Sequence, residues 1–166
     1  MRRYLFKATL ILAISLPGAL FAAPKLSPQE VLIYALYERF AAEAVLDYAR
    51  PEYGFTDQPK AVLARFFDAS LTALWLKDRA CAARTQGMCQ LDFMPIWDSQ
   101  DASGATVAIE PDEQANSIKA TVSYGADRKR VLHYQLVLTP GGWRIHDIAF
   151  DDGRASLRQL LSKPLP

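Results

Sequence analysis

The chain has 166 residues, 51% of them apolar, and a formal net charge of +1. The apolar content excludes a disordered chain. The near-neutral balance excludes the basic stripe with which a nucleic-acid binder neutralises phosphates.

The charge is unevenly placed. Three of the 19 basic residues, Arg2, Arg3 and Lys7, lie in residues 1–22, which hold no acid. The remainder therefore carries 16 bases against all 18 acids and leans negative. Residues 1–22 read as a secretory signal peptide: a positive start, an apolar run from Ala8 to Leu20, and small residues at Ala22 and Ala23. The run is broken by Pro17-Gly18 and is shorter than the roughly 20 apolar residues of a membrane span. Cleavage is expected after Ala22, leaving residues 23–166 as a single domain. No cysteine sits at the cut to carry a lipid, so no stable membrane anchor is expected. The signal has a bacterial pattern, which places the protein in the periplasm.

The first half of that domain reads as helical. Ser27-Pro28-Gln29-Glu30 is a capping box with proline at the first helical position. Ile33, Leu36, Tyr37, Phe40, Ala44 and Tyr48 follow at helical spacing, and Arg50-Pro51 ends the segment. A polar loop is expected over Glu52–Gln58. A second helix is expected from Pro59, with Leu63, Phe66, Phe67, Ser70 and Leu74 on one side, fading near Cys81. Cys81 and Cys89 are the only cysteines. In an oxidising compartment a close pair reads as a disulfide. A metal reading needs four ligands, and His133 and His146 are distant in sequence, so no metal is expected.

The second half changes period. Ala105–Glu110 reads as a strand. Ile118, Ala120, Val122 and Tyr124 alternate with Lys119, Thr121 and Ser123, and Leu132, Tyr134, Leu136 and Leu138 alternate with His133, Gln135 and Val137. Such alternation marks antiparallel strands with one buried face. Gly125-Ala126-Asp127 is a turn. Thr139-Pro140-Gly141-Gly142 suits a type II turn, leading into a strand from Trp143 to Ile148. Leu157, Leu160 and Leu161 suggest a short closing helix. Helices first and a meander second imply an α+β fold, with the helices on one face of a curved sheet.

Between the halves, Leu91–Asp101 mixes large apolar residues with Asp92, Asp98, Gln100 and Asp101. Its apolar residues, including Trp97, can plug the end of the core while Asp98 and Asp101 cap backbone amides. Alternatively, the acids and Gln100 line a pocket mouth. The first reading is favoured. Tyr124 and Tyr134 fall on the apolar strand faces, where buried hydroxyls need partners. Asp147 follows Trp143 and Ile145 on one strand face. An inward carboxylate there could act as acid or base, although a turn cap or an ion pair with Arg154 or Arg158 is the commoner role. His133 and His146 fall on polar faces.

Three stretches carry a resemblance: Leu91-Asp92-Phe93 through Pro95 to Gln100-Asp101, Gly142–Ile148, and Ser156–Leu161. Their order resembles domain-of-unknown-function family 3828, small secreted bacterial proteins within the nuclear-transport-factor-two-like group. The resemblance spans Val31 to Leu161. It implies a cone-like fold whose sheet wraps a helix and leaves a cavity at its open end, with Asp147 at the acidic position of the tryptophan strand. It implies no activity or cofactor. The pocket or rim candidates are therefore Asp92, Trp97, Asp98, Gln100, Asp101, Tyr124, Tyr134, Trp143 and Asp147. The leading expectation is a periplasmic, non-enzymatic module that binds a small ligand or a protein. One alternative is a small isomerase- or dehydratase-type enzyme pairing a cavity carboxylate with a tyrosine. The other is an immunity or inhibitor protein.

Overall fold

The structure is a computed structural model, and it describes residues 25–46 and 54–166. The signal-like segment, Tyr48, Arg50-Pro51 and Glu52 lie outside the described residues. Among the described residues no helix is long and apolar enough to cross a membrane.

The capping box forms. Ser27 Oγ accepts from the Glu30 amide at 3.2 Å, and the Glu30 carboxylate accepts from the Ser27 amide at 2.8 Å. Helix α1 (Pro28–Phe40) buries Ile33, Leu36, Tyr37 and Phe40. The periodicity predicted one helix running beyond Ala44. Instead it breaks at Ala41, and a short α2 (Ala42–Val45) follows, with Glu43 buried. The 52–58 loop is not simply polar either. Phe55 is fully buried, with its ring edge-on to Phe40 at 5.0 Å and to Trp75 at 4.9 Å.

The helix expected from Pro59 is two helices, α3 (Lys60–Phe66) and α4 (Ala69–Thr85). Tertiary pairing overrides the helical period between them. Phe67 forms a parallel bridge with Ile145, and the Asp68 amide donates to the Ile145 carbonyl at 2.9 Å. Asp68 then caps α4 by accepting from the Leu71 amide at 2.7 Å. This restart rotates the face, so Leu71, Thr72 and Trp75 point inward and Ser70 is exposed. Helix α4 runs past Cys81 and ends at Gln86, whose φ of 52° is left-handed.

Strands β1 (Ala105–Pro111), β2 (Ser117–Tyr124), β3 (Arg128–Thr139) and β4 (Gly142–Phe150) form one curved, unclosed antiparallel sheet in that order. The short α5 (Leu157–Leu161) packs on β4 and α4. Alternation puts Ile118, Ala120, Val122, Leu132, Tyr134 and Leu136 into the core, but Leu138 is 65% exposed at the sheet's end. The β3–β4 hairpin also departs from expectation. A type II turn needs positive φ at Gly141, whereas the left-handed residue is Gly142, at φ 96°. The remaining departure is a bulge. Leu136 pairs with Ile145 but Gln135 pairs with Asp147, leaving His146 as the extra residue.

Candidate functional site

Leu91–Asp101 is anchored at its start by chemistry on α4. Cys81 and Cys89 form the disulfide, and Asp78 Oδ1 accepts from the Gln90 amide at 2.7 Å. The chain then turns tightly, with Met94 and Ser99 paired and the Asp98 amide donating to the Met94 carbonyl at 2.9 Å. Ile96 and Trp97 enter the core at the tip. Their carbonyls accept from Tyr37 Oη at 2.8 Å and from Tyr124 Oη at 2.5 Å. The Trp97 indole N–H donates to Glu43 Oε2 at 2.6 Å, and Glu43 Oε1 accepts from the Phe55 amide at 2.6 Å. Burial raises the Glu43 pKa against these two donors.

Tyr134 is wholly buried, 2.8 Å from the Tyr37 hydroxyl. Tyr37 spends its single proton on Ile96, so Tyr134 must be the donor to Tyr37. Burial raises the pKa of both hydroxyls. Tyr37, Ile96, Trp97 and Tyr134 belong to one buried core cluster with the inward residues of the sheet.

Asp98 stands in the left-handed region at φ 51°, a conformation aspartate tolerates. It does not cap an amide, as the favoured reading expected. Its carboxylate pairs with Arg154 and, at 3.7 Å, with Arg130. The Arg154 guanidinium lies over the Phe150 ring at 3.9 Å and the Phe93 ring at 4.6 Å. Burial lowers its pKa, and Asp92 pulls it back up. Asp101 does cap, accepting from the Ser103 amide at 2.8 Å.

Two clefts flank this segment. One, of about 550 Å³, lies against α4 and has Trp75, Ala82, Met88, Leu91 and Met94 on its apolar side and Asp57 and Arg79 at its margin. The other, of about 500 Å³, is charged and holds Asp98, Asp101, Arg128, Arg130, Asp152 and Arg154. Asp92, Phe93 and Gln100 line both. The chain matches no protein-family model, no curated protein and no solved structure.

The structure thus gathers Asp92, Asp98, Gln100 and Asp101 at the clefts, and Tyr124 and Trp97 behind them. It does not bring Trp143 or Asp147 there. Trp143 lines a groove beside α1. Asp147 was expected to share a face with Trp143 and Ile145, but the bulge turns it away from them and under α5. There Oδ2 accepts from Ser156 Oγ at 2.6 Å, and Oδ1 accepts from the Ile148 and Arg158 amides at 2.8 Å each. It is a structural acceptor, and among the described residues no tyrosine hydroxyl meets it. Asp147→Ala should therefore destabilise by about 1–3 kcal/mol, because it strands buried donors. Urea unfolding measures this, and an unchanged midpoint would contradict that role.

The histidines are not simply solvated. His133 Nδ1 lies 2.6 Å from Asp112, and His146 Nδ1 lies 2.6 Å from Asp68. Among the described residues no group of three or more His, Cys, Asp or Glu is placed to hold a metal. Glu43 and Arg154 were not among the sequence candidates. The local pattern does not mark their place in the site, because Trp97 is 54 residues from Glu43 and Asp98 is 56 residues from Arg154, whose nearer contacts are Asp152 and Phe150.

These carboxylates give opposite pH signatures. Burial pushes the Asp68 carboxyl up, but hydrogen bonds from Leu71, His146 and Ser70, with the charge of Arg158, hold it below the usual 3.8. Its stabilisation is complete above that value and is lost as pH falls through the depressed folded pKa. Glu43 holds its proton to higher pH folded than unfolded, so its contribution weakens as pH rises above 4.5. Urea unfolding between about pH 2 and 7 should show a shallower acid limb for Asp68→Asn. For Glu43→Gln, stability relative to the parent should improve as pH rises. Parallel curves for parent and variants would contradict both assignments.

Proposed function

We propose that this is a secreted, periplasmic, non-enzymatic binding protein, related to domain-of-unknown-function family 3828, whose ligand seats against Leu91–Asp101. One observation carries the reading: a single wall serves an apolar cleft and a charged cleft, and shares Asp92, Phe93 and Gln100 between them. The ligand this suits has an apolar body and a polar or zwitterionic head. The body lies along Met88, Leu91 and Met94, and the head meets the mixed Asp and Arg side chains. Such a site gives affinity through burial and orientation through a few polar groups. The acid–base reading draws less support, since Asp147, Tyr124 and Tyr134 each spend their hydrogen bonds on structural partners.

The test uses the full chain expressed with its own N-terminus and recovered from the periplasmic fraction. Intact mass should correspond to a chain beginning at Ala23. An unprocessed chain confined to the cytoplasm would refute secretion. Saturation-transfer NMR with small aromatic amino acids and amines should reveal binders. Gln100→Trp fills the junction of the clefts from an exposed position, and it should abolish their binding. Binding that survives this substitution, or no binding at all, overturns the assignment.

A further inference from the structure

Helix α1 is apolar on two sides. Ile33, Leu36, Tyr37 and Phe40 enter the core. On a second side Val31 and Ala35, with Leu32 beside them, face a groove of about 620 Å³ whose far walls are Phe66 and Trp143. A surface helix ordinarily turns polar residues outward. Here Val31 is 51% exposed, and Leu138, the cross-strand partner of Trp143, is 65% exposed and continues the apolar surface.

The rim of the groove is cationic. Arg39 and Arg65 line it. Arg144 sits beside it, donating to the carbonyls of Ala64 at 3.0 Å and Trp143 at 2.7 Å. Among the described residues none of the three guanidiniums has a carboxylate partner, and the one acid lining the groove is Glu38. This local excess of positive charge stands on a chain that leans negative beyond residue 22.

We propose that this groove is a protein-docking surface for an acidic, amphipathic segment of a partner, one that places apolar side chains on Val31, Phe66 and Trp143 and carboxylates on Arg39, Arg65 and Arg144. The concavity favours an inserted segment, since a flat bilayer would meet protruding side chains instead. Burial at the centre supplies affinity, and the arginine rim supplies charge selection and speeds encounter. The surface is separate from the clefts along Leu91–Asp101, so either assignment can fail without the other.

The experiment measures fluorescence anisotropy of three labelled 14-residue peptides with identical Leu and Phe spacing, flanked by Glu, Gln or Lys. The full chain is used as the host processes it. The Glu peptide should bind about tenfold more tightly than the Lys peptide, with the preference fading as salt is raised. Val31→Asp should abolish binding while leaving thermal unfolding unchanged. The Arg39→Glu/Arg65→Glu double variant should reverse the preference toward Lys. Gln100→Trp should leave all three affinities unchanged. Three results overturn the proposal. The first is equal or absent binding of the peptides. The second is co-sedimentation with anionic phosphatidylglycerol vesicles in place of peptide binding, abolished by Val31→Asp. The third is a concentration-dependent dimer in sedimentation velocity that Val31→Asp dissociates, which would make the occupant a second copy.

Discussion

Trp97→Ala should cost about 3–5 kcal/mol of folding stability, the usual range for emptying a buried tryptophan site. The side chain is 2% exposed and packs edge-on to Tyr37 at 5.3 Å. Its removal also strips the Glu43 carboxylate of one of its two donors. The two effects separate with Trp97→Phe, which keeps most of the ring volume and loses only the indole N–H. That variant should lose about 1–3 kcal/mol, the cost of a buried charged acceptor left short of a partner. In a Glu43→Gln background the same replacement should cost less, because the charge it strands is already gone. Urea unfolding of the four proteins completes the cycle. Additive losses would mean that the contact between Trp97 and Glu43 contributes nothing beyond packing.

Removing the disulfide with Cys81→Ser/Cys89→Ser should cost about 2–3 kcal/mol on the chain-entropy estimate for so short a loop. That corresponds to a fall in Tm on the order of 10 °C for a domain of this size. The parent, denatured without reductant, should show no titratable thiol, and finding two would refute the bridge. The effect should reach beyond stability. Two hydrogen bonds of Gln90, from its amide to Asp78 and from its side chain to the Pro164 carbonyl, also tie this end of the wall. Neither closes the Cys81–Cys89 loop covalently, so the double variant should expose Leu91–Met94 to faster hydrogen exchange than the sheet. Uniform acceleration across the chain would show instead that the bridge acts only through the unfolded state.

The candidate site was half legible from the residues themselves. The mixture of apolar and acidic side chains in Leu91–Asp101 marked it as unusual, and the structure places it as the common wall of two clefts. What each residue does there was not legible. Asp98 and Asp101 are the same residue type three positions apart. Asp101 meets an amide two residues on, a local arrangement open to a sequence argument. Asp98 meets Arg154, 56 residues away. Trp97 and Glu43 are 54 residues apart, and neither advertises the other.

What the chain determined by itself was whatever depends on neighbours a few positions away. The Ser27–Glu30 capping box, the two-residue alternation of β2 and of β3 as far as Leu136, and the close pair Cys81 and Cys89 all lie within one turn, one strand or one short loop, and all formed. Tertiary structure decided wherever a distant partner outbid the local pattern. Ile145 holds Phe67 and Asp68 extended and so divides a helix in two. A one-residue bulge opposite Gln135 moves Asp147 off the face it shared with Ile145 by simple alternation, and with that converts a candidate base into an acceptor for the Ser156 hydroxyl and the Arg158 amide at the start of α5. Strand parity carries side-chain direction only while the register is unbroken, and the register belongs to the pair of strands.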